Sequence, residues 1–188
     1  MNKILKLKNK RNYIHGTDIF NHLTKNIDYK KIDIKFIKPI KSHPKTSLKV
    51  KSNKNIAVAA NIIKKNKIEK IFLQNTKKKV KGRYYVNETL PEKSFKIFKK
   101  SARFEYTTML NSIEILVSLT KLYHLKKISK KKWFFTRLII TKKFNNLKNK
   151  KIKILLDQNY KNISTVSKIY ENNKFIGKIS FSIKKKII

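Results

Sequence analysis

The sequence predicts an α+β fold in which an antiparallel sheet wraps around a buried central helix. Three observations carry this reading. First, Phe104–Thr120 (FEYTTMLNSIEILVSLT) contains neither Lys nor Arg, in a chain where these make up 49 of 188 residues. On a 3.6-residue helix, Met109, Leu110, Ile113, Leu116, Val117, Leu119, Leu122 and Tyr123 cover most of the circumference, while Asn111, Glu114, Ser118 and Lys121 fall on one line. A helix this apolar must be surrounded by other elements, and its polar interruptions and length exclude a membrane span. Second, the flanking segments read as strands and hairpins joined by turn residues, with Lys31–Ile40 alternating at period two. Third, the order of elements occurs twice.

The elements follow in chain order. Thr17–Asn26 starts with good capping chemistry after Gly16 and spaces Ile19, Phe20 and Leu23 for a short helix. Lys31–Ile40 alternates Ile32, Ile34 and Phe36 against Lys31, Asp33 and Lys35, a half-buried strand with Pro39 at an edge. Ser42–Lys45 is a turn and Ser47–Lys51 a second strand. Asn55–Thr76 reads as a hairpin with the charged tip Lys64–Lys67. Lys77–Arg83 is a basic loop, Tyr84–Val86 a short strand, and Asn87–Glu92 a turn. Ser94–Arg103 is basic and amphipathic and reads as helical, leading into the core helix. Trp133–Thr141 and Ile152–Leu156 are β-prone, separated by the Asn/Lys loop Lys142–Lys151. Ile163–Ile183 is the clearest hairpin, with the turn ENNK.

Helix, strand, loop, strand and hairpin thus run from Thr17 to Thr76 and again from Phe104 to Ile183. The expected organisation is a basic N-terminal arm (1–12), one α+β domain (13–183) of two similar halves (13–76 and 104–183) joined by a basic linker (77–103), and a basic tail (184–188). This order, with Phe36-Ile37-Lys38-Pro39-Ile40 leading into the first sheet and Asn173-Lys174-Phe175-Ile176-Gly177 in the last hairpin, resembles the hotdog fold in its double form. The resemblance implies an acyl-thioester dehydratase or thioesterase, or its inactive descendant. It nominates His15 or His22 on the first side with Glu105 or Glu114 on the second. The dehydratase signature His-Phe-Pro-Gly is absent, and the core helix begins FEYTT instead.

Charge points to a different function. Ten acids against 49 bases give a formal +39, and self-repulsion at that density calls for a polyanion. Lys, Asn and Ile abound while Gly and Pro number three each, as an AT-rich genome would dictate, yet such a genome does not explain the scarcity of acids. The absence of Cys removes disulfides, thiolate metal sites and Cys nucleophiles. Met1–Arg11 is too interrupted for a secretory signal. The candidate phosphate contacts are Lys8, Lys10 and Arg11 in the arm, then Lys77, Lys78, Lys79, Lys81 and Arg83. They continue with Lys99, Lys100 and Arg103, then Lys126, Lys127, Lys130, Lys131 and Lys132. Lys142, Lys143, Lys148, Lys150 and Lys151 follow, and Lys184, Lys185 and Lys186 close the chain. Tyr84, Tyr85, Phe98, Trp133 and Phe144 lie among them as stacking candidates.

A short, Lys-dominated, acid-poor chain with basic ends resembles an organellar ribosomal protein. That resemblance implies a structural rRNA-binding subunit of a mitochondrial ribosome, located in the matrix and partnered by rRNA and neighbouring ribosomal proteins. It implies no enzymatic activity, no cofactor, no small-molecule substrate and no membrane anchor. Four scattered His without a metal spacing argue against a metal site, and three isolated Gly cannot build a phosphate loop. In Asn12-Tyr13-Ile14-His15-Gly16-Thr17-Asp18, His15 offers acid–base chemistry with Asp18 to orient it, but capping of the helix by Thr17 or Asp18 is the favoured reading.

Overall fold

Alternating sequence becomes strand, and the apolar stripe becomes helix, in a computed structural model whose described residues are 5–49, 55–65, 67–105, 110–143 and 151–183. The chain divides into two units, Met1–Asn87 and Glu88–Ile188. Among the described residues no helix is long and apolar enough to cross a membrane.

The first unit contains β1 (Leu7–Lys8), α1 (Gly16–Thr24), β2 (Lys31–Phe36), β3 (Lys45–Ser47), β4 (Ile56–Ile63), β5 (Ile68–Gln74) and β6 (Arg83–Tyr84). β3, β5, β4 and β2 pair antiparallel in that order, while β1 and β6 form a separate parallel pair. Ile32, Ile34, Val58, Ala60, Ile62 and Leu73 supply the buried face of the sheet, and Ile19, Phe20 and Leu23 that of α1. The β4–β5 hairpin closes as expected at its charged tip, where the Lys64 amide donates to the Lys67 carbonyl at 2.9 Å.

In the second unit, a short 3-10 turn (Glu92–Ser94) precedes β7 (Phe95–Ile97) and β8 (Ser101–Phe104). Then come α2 (Ser112–Lys127), β9 (Trp133–Ile140), β10 (Ile152–Tyr160), β11 (Ser164–Glu171) and β12 (Lys174–Ile183). Its strands run β9-β12-β11-β10-β8-β7, antiparallel throughout. α2 lies against β8, β9 and β10 and buries Ile113, Ile115, Leu116, Val117, Leu119, Tyr123 and His124, so most of its circumference is enclosed as predicted.

Two local expectations are corrected. The core helix begins at Ser112, and Phe104 is the last residue of β8. Asn111 and Glu114 are the reason. The Glu114 amide donates to Asn111 Oδ1 at 3.1 Å and the Asn111 amide to Glu114 Oε2 at 3.1 Å. This capping box satisfies two amides that the first turn leaves open. Asn111→Ala is therefore expected to cost about 1 kcal/mol in a denaturant melt, with the cost largely recovered by Asn111→Ser. The second correction is Ser94–Arg103, which forms β7 and β8 in place of a helix. Ala102 and Phe104 are buried while Arg103 is exposed, and β8 pairs on both sides with β7 and β10. That pairing overrides any helical preference.

The last hairpin turns at Asn172 and Asn173, with φ of 48° and 64°, as Asn tolerates. Lys161 and Asn162 make the same left-handed turn between β10 and β11 (φ 49° and 56°). The predicted strand Ser47–Lys51 appears as Lys45–Ser47, with residues 50 and 51 outside the described residues. Most of the 142–151 loop and the whole 184–188 tail also lie outside them.

Candidate functional site

Most of the basic residues nominated for phosphate contact are at the surface. Lys10, Lys77, Lys78, Lys79, Lys81, Lys99, Lys100, Arg103, Lys126, Lys127, Lys130, Lys131, Lys132, Lys142, Lys143 and Lys151 are exposed. Some are already engaged: Lys142 Nζ meets Glu171 at 2.6 Å. The exposed Arg83 donates to the Asn9 carbonyl and, at 2.8 Å, to that of the half-buried Arg11. Lys8 is fully buried. Lys148, Lys150, Lys184, Lys185, Lys186 and Phe144 lie outside the described residues. Trp133 is a core residue, its Nε1 donating to the Ser129 carbonyl at 3.1 Å.

The start of α1 gathers polar side chains. His15 is the N-cap residue by its backbone (φ −70°, ψ 145°) but makes no side-chain cap; its carbonyl accepts from the Asp18 and Ile19 amides at 3.0 and 3.2 Å. The capping role expected of Thr17 or Asp18 is thus corrected: both lie inside the first turn. The buried His15 ring has Nδ1 2.7 Å from Thr17 Oγ1. Asp18 places its carboxylate under the Tyr84 hydroxyl, which donates at 2.6 Å. So Thr17 meets the imidazole, while the Asp18 carboxylate accepts from Tyr84. Lys8, on β1, sets its ammonium 6.0 Å from the centre of the Tyr84 ring. The parallel β1–β6 pair joins Lys8 to Tyr84 in register and carries both to the helix start. A carboxylate in the first turn also sits at the positive end of the helix dipole. The sequence offered His15 and Asp18 here; it nominated Lys8 and Tyr84 only for phosphate contact and base stacking, because the pairing that brings them to this helix spans most of the unit.

A second buried polar pair lies in the other unit. His124, on α2, has Nε2 2.9 Å from Thr165 Oγ1 on β11. The Trp133, Phe181 and Tyr123 rings surround it, with centroids at 4.4, 5.3 and 5.9 Å. Among the described residues no hydrogen-bond partner reaches its Nδ1, and burial lowers its pKa from 6.5 to about 4, so the ring is neutral at physiological pH. Sequence reasoning passed over it as one of four scattered His.

The remaining candidates have simpler environments. His22 is on the exposed side of α1, where desolvation and then the neighbouring His43 lower its pKa. Glu105 is exposed at the end of β8, 3.9 Å from Lys151. Glu114 is committed to the capping box. No group of three or more His, Cys, Asp or Glu among the described residues is placed to hold a metal ion.

No family model matches the sequence, and no curated protein matches it significantly. Solved structures do. The chain is similar to the tesB protein of Mycobacterium avium subsp. paratuberculosis, with a TM-score of 0.51 at 8% identity, covering 96% of this chain and 91% of that one. Weaker likeness extends to a conserved protein of unknown function with hot dog fold from Alicyclobacillus acidocaldarius (TM-score 0.38, 7% identity, 94% and 89% covered). The acyl-CoA thioesterase II TesB2 from Mycobacterium marinum gives 0.40 at 6% identity, with 90% and 85% covered. The α+β fold with its antiparallel sheet and two helices is that of hotdog proteins. The likeness corrects three expectations: a non-enzymatic ribosomal subunit, rRNA and ribosomal proteins as partners, and the absence of a small-molecule substrate. The structure that superposes over nearly the whole chain is a tesB protein, and none of the three named is described as ribosomal or RNA-binding. The physical reason is that composition reports total charge and codon bias, neither of which specifies a fold or a ligand.

Proposed function

We propose that this chain is a hotdog-type hydrolase of acyl thioesters, with an acyl-CoA as substrate. The observation that supports it is the superposition on the tesB protein along nearly the full length of both chains. At the start of α1, the Asp18 carboxylate, aimed by the Tyr84 hydroxyl, takes the proton from a water attacking the thioester carbon. The tetrahedral intermediate then collapses, re-forming the carbonyl and breaking the C–S bond, and the departing CoA thiolate takes the proton back from Asp18. The positive end of α1 favours the negative charge that develops on the carbonyl oxygen. His15, held through Thr17, fixes the loop that leads into the helix.

Release of free thiol from a series of acyl-CoAs, acetyl to palmitoyl, tests the reading. Asp18→Asn is expected to lower kcat more than tenfold while the far-UV spectrum is unchanged, in keeping with the loss of a general base. Absence of turnover across the whole series by the purified chain would refute the proposal. An Asp18→Asn variant as active as the wild type would refute the assignment of the base.

A further inference from the structure

The outward face of the second unit's sheet holds like charges directly opposite one another. Register sets Lys96 on β7 against Arg103 on β8, and Arg103 against Lys153 on β10. The same row continues through Tyr170 on β11 to Phe175 on β12. Ala102, Phe104, Ile152, Ile154 and Ile169 are buried on the opposite face, so the period of two turns this row toward solvent.

Like charges opposite one another destabilise a sheet, and the neighbouring rows offset theirs with acids. Lys151 lies 3.9 Å from Glu105 on one side. On the other, Asp157 takes Lys168 at 2.9 Å and Lys178 at 3.2 Å, which holds its pKa below the usual carboxylate range. Among the described residues no acid engages Lys96, Arg103 or Lys153. Two of these cations rest on rings instead, Arg103 5.4 Å from the centre of Phe98 and Lys153 5.8 Å from that of Tyr170. The Tyr170 and Phe175 rings meet edge to face with centroids 5.9 Å apart.

We propose that this row is a docking site for an acidic helix of a partner protein. Neighbouring strands lie about 4.8 Å apart, and carboxylates four residues apart on a helix lie about 5–6 Å apart. A helix laid across β7, β8 and β10 therefore presents one carboxylate to each cation in turn, and its next apolar residue meets Tyr170 and Phe175. Other anions fit less well. A small nucleotide needs a concave pocket, and this is a sheet face. Single-stranded nucleic acid stacks its bases on free ring faces, and here the Phe98 and Tyr170 faces carry Arg103 and Lys153. A bilayer could take up exposed rings such as Phe98 and Phe175, but its fluid headgroups offer no fixed spacing to match one cation on each strand.

The test uses the full chain and a fluorescein-labelled helical peptide with Glu at every fourth position, followed by anisotropy at physiological salt. Arg103→Gln with Lys153→Gln is expected to weaken binding about tenfold or more, the loss of two charge pairs. Lys25→Gln with Lys30→Gln removes the same charge from exposed positions of the first unit and is expected to change Kd by less than about twofold. The Arg103/Lys153 variant should melt no lower than wild type, since it relieves opposed like charges. Equal weakening by both pairs of substitutions would reduce the effect to net charge and overturn the proposal. So would equal binding of a peptide with the same Glu scattered out of helical spacing. Stronger competition by an oligonucleotide or by phosphatidylserine vesicles of matched charge would overturn it too, and assign the row to phosphate.

Discussion

Gly177→Ala is expected to destabilise the second unit by about 3–5 kcal/mol, the range reserved for changes the surroundings cannot absorb. Gly177 sits on β12, opposite Ile140 on β9 and Ile169 on β11, beside a register shift between Ile169 and Tyr170. Its φ is +156°, and an added Cβ would overlap the Ile139 carbonyl oxygen while lying 3.0 Å from that carbonyl carbon and 3.1 Å from Ile140 Cα. All three are backbone atoms of a strand hydrogen-bonded to β12, so relief means parting the two strands. Gly82 supplies the contrast. With φ at +81°, its added Cβ would meet only the Lys6 side chain, at 3.6 Å, and Gly82→Ala is expected to cost about 1 kcal/mol from the backbone alone. Guanidinium unfolding of the two variants side by side decides the matter. Equal, small losses would show that β9 and β12 do not approach as closely as described.

The second large effect is a loss of stability in acid that belongs to His124. Its folded-state pKa, about 4, lies below the ordinary 6.5 because burial disfavours the imidazolium. Above pH 6.5 neither state is protonated there and the group contributes no pH dependence. Between 6.5 and 4 the unfolded chain takes up a proton that the folded one refuses, so stability falls as pH falls. Below the folded pKa both states are protonated and the dependence ends. The full loss is on the order of 3 kcal/mol. Trp133 and Phe181 enclose the ring, and Thr165 is its hydrogen-bond partner. His124→Gln is expected to lower stability at neutral pH and to flatten the slope between pH 6.5 and 4. The difference between the two pH profiles isolates His124 from His22, whose lowered pKa acts in the same direction. Parallel profiles for wild type and variant would mean that His124 is not the group refusing the proton.

Local chemistry by itself determined a good part of this molecule. Period-two alternation placed β2, since side chains on a half-buried strand must alternate whatever their partners; β propensity placed β9, and turn chemistry the β4–β5 and β11–β12 hairpins. The long apolar run located the enclosed helix. Its start was misread because Asn111 and Glu114 were read only as members of a polar line along the helix, when their spacing of three is that of a capping box. In the candidate site, His15 and Asp18 were legible as a polar cluster at a helix start.

Tertiary structure decided the rest. Lys8 reads as one more charge in a basic arm until β1 pairs with β6 and buries it beside Tyr84. His124 is one of four His until α2 presses it against β11 and two aromatic rings. Lys96 and Arg103 fall in one basic segment and Lys153 in a distant one, and only register aligns the three. Each of these depends on pairing between distant strands, and a shift of one residue would send every side chain to the opposite face. Net charge, the loudest property of the sequence, is a sum over positions; what a ligand meets is their arrangement.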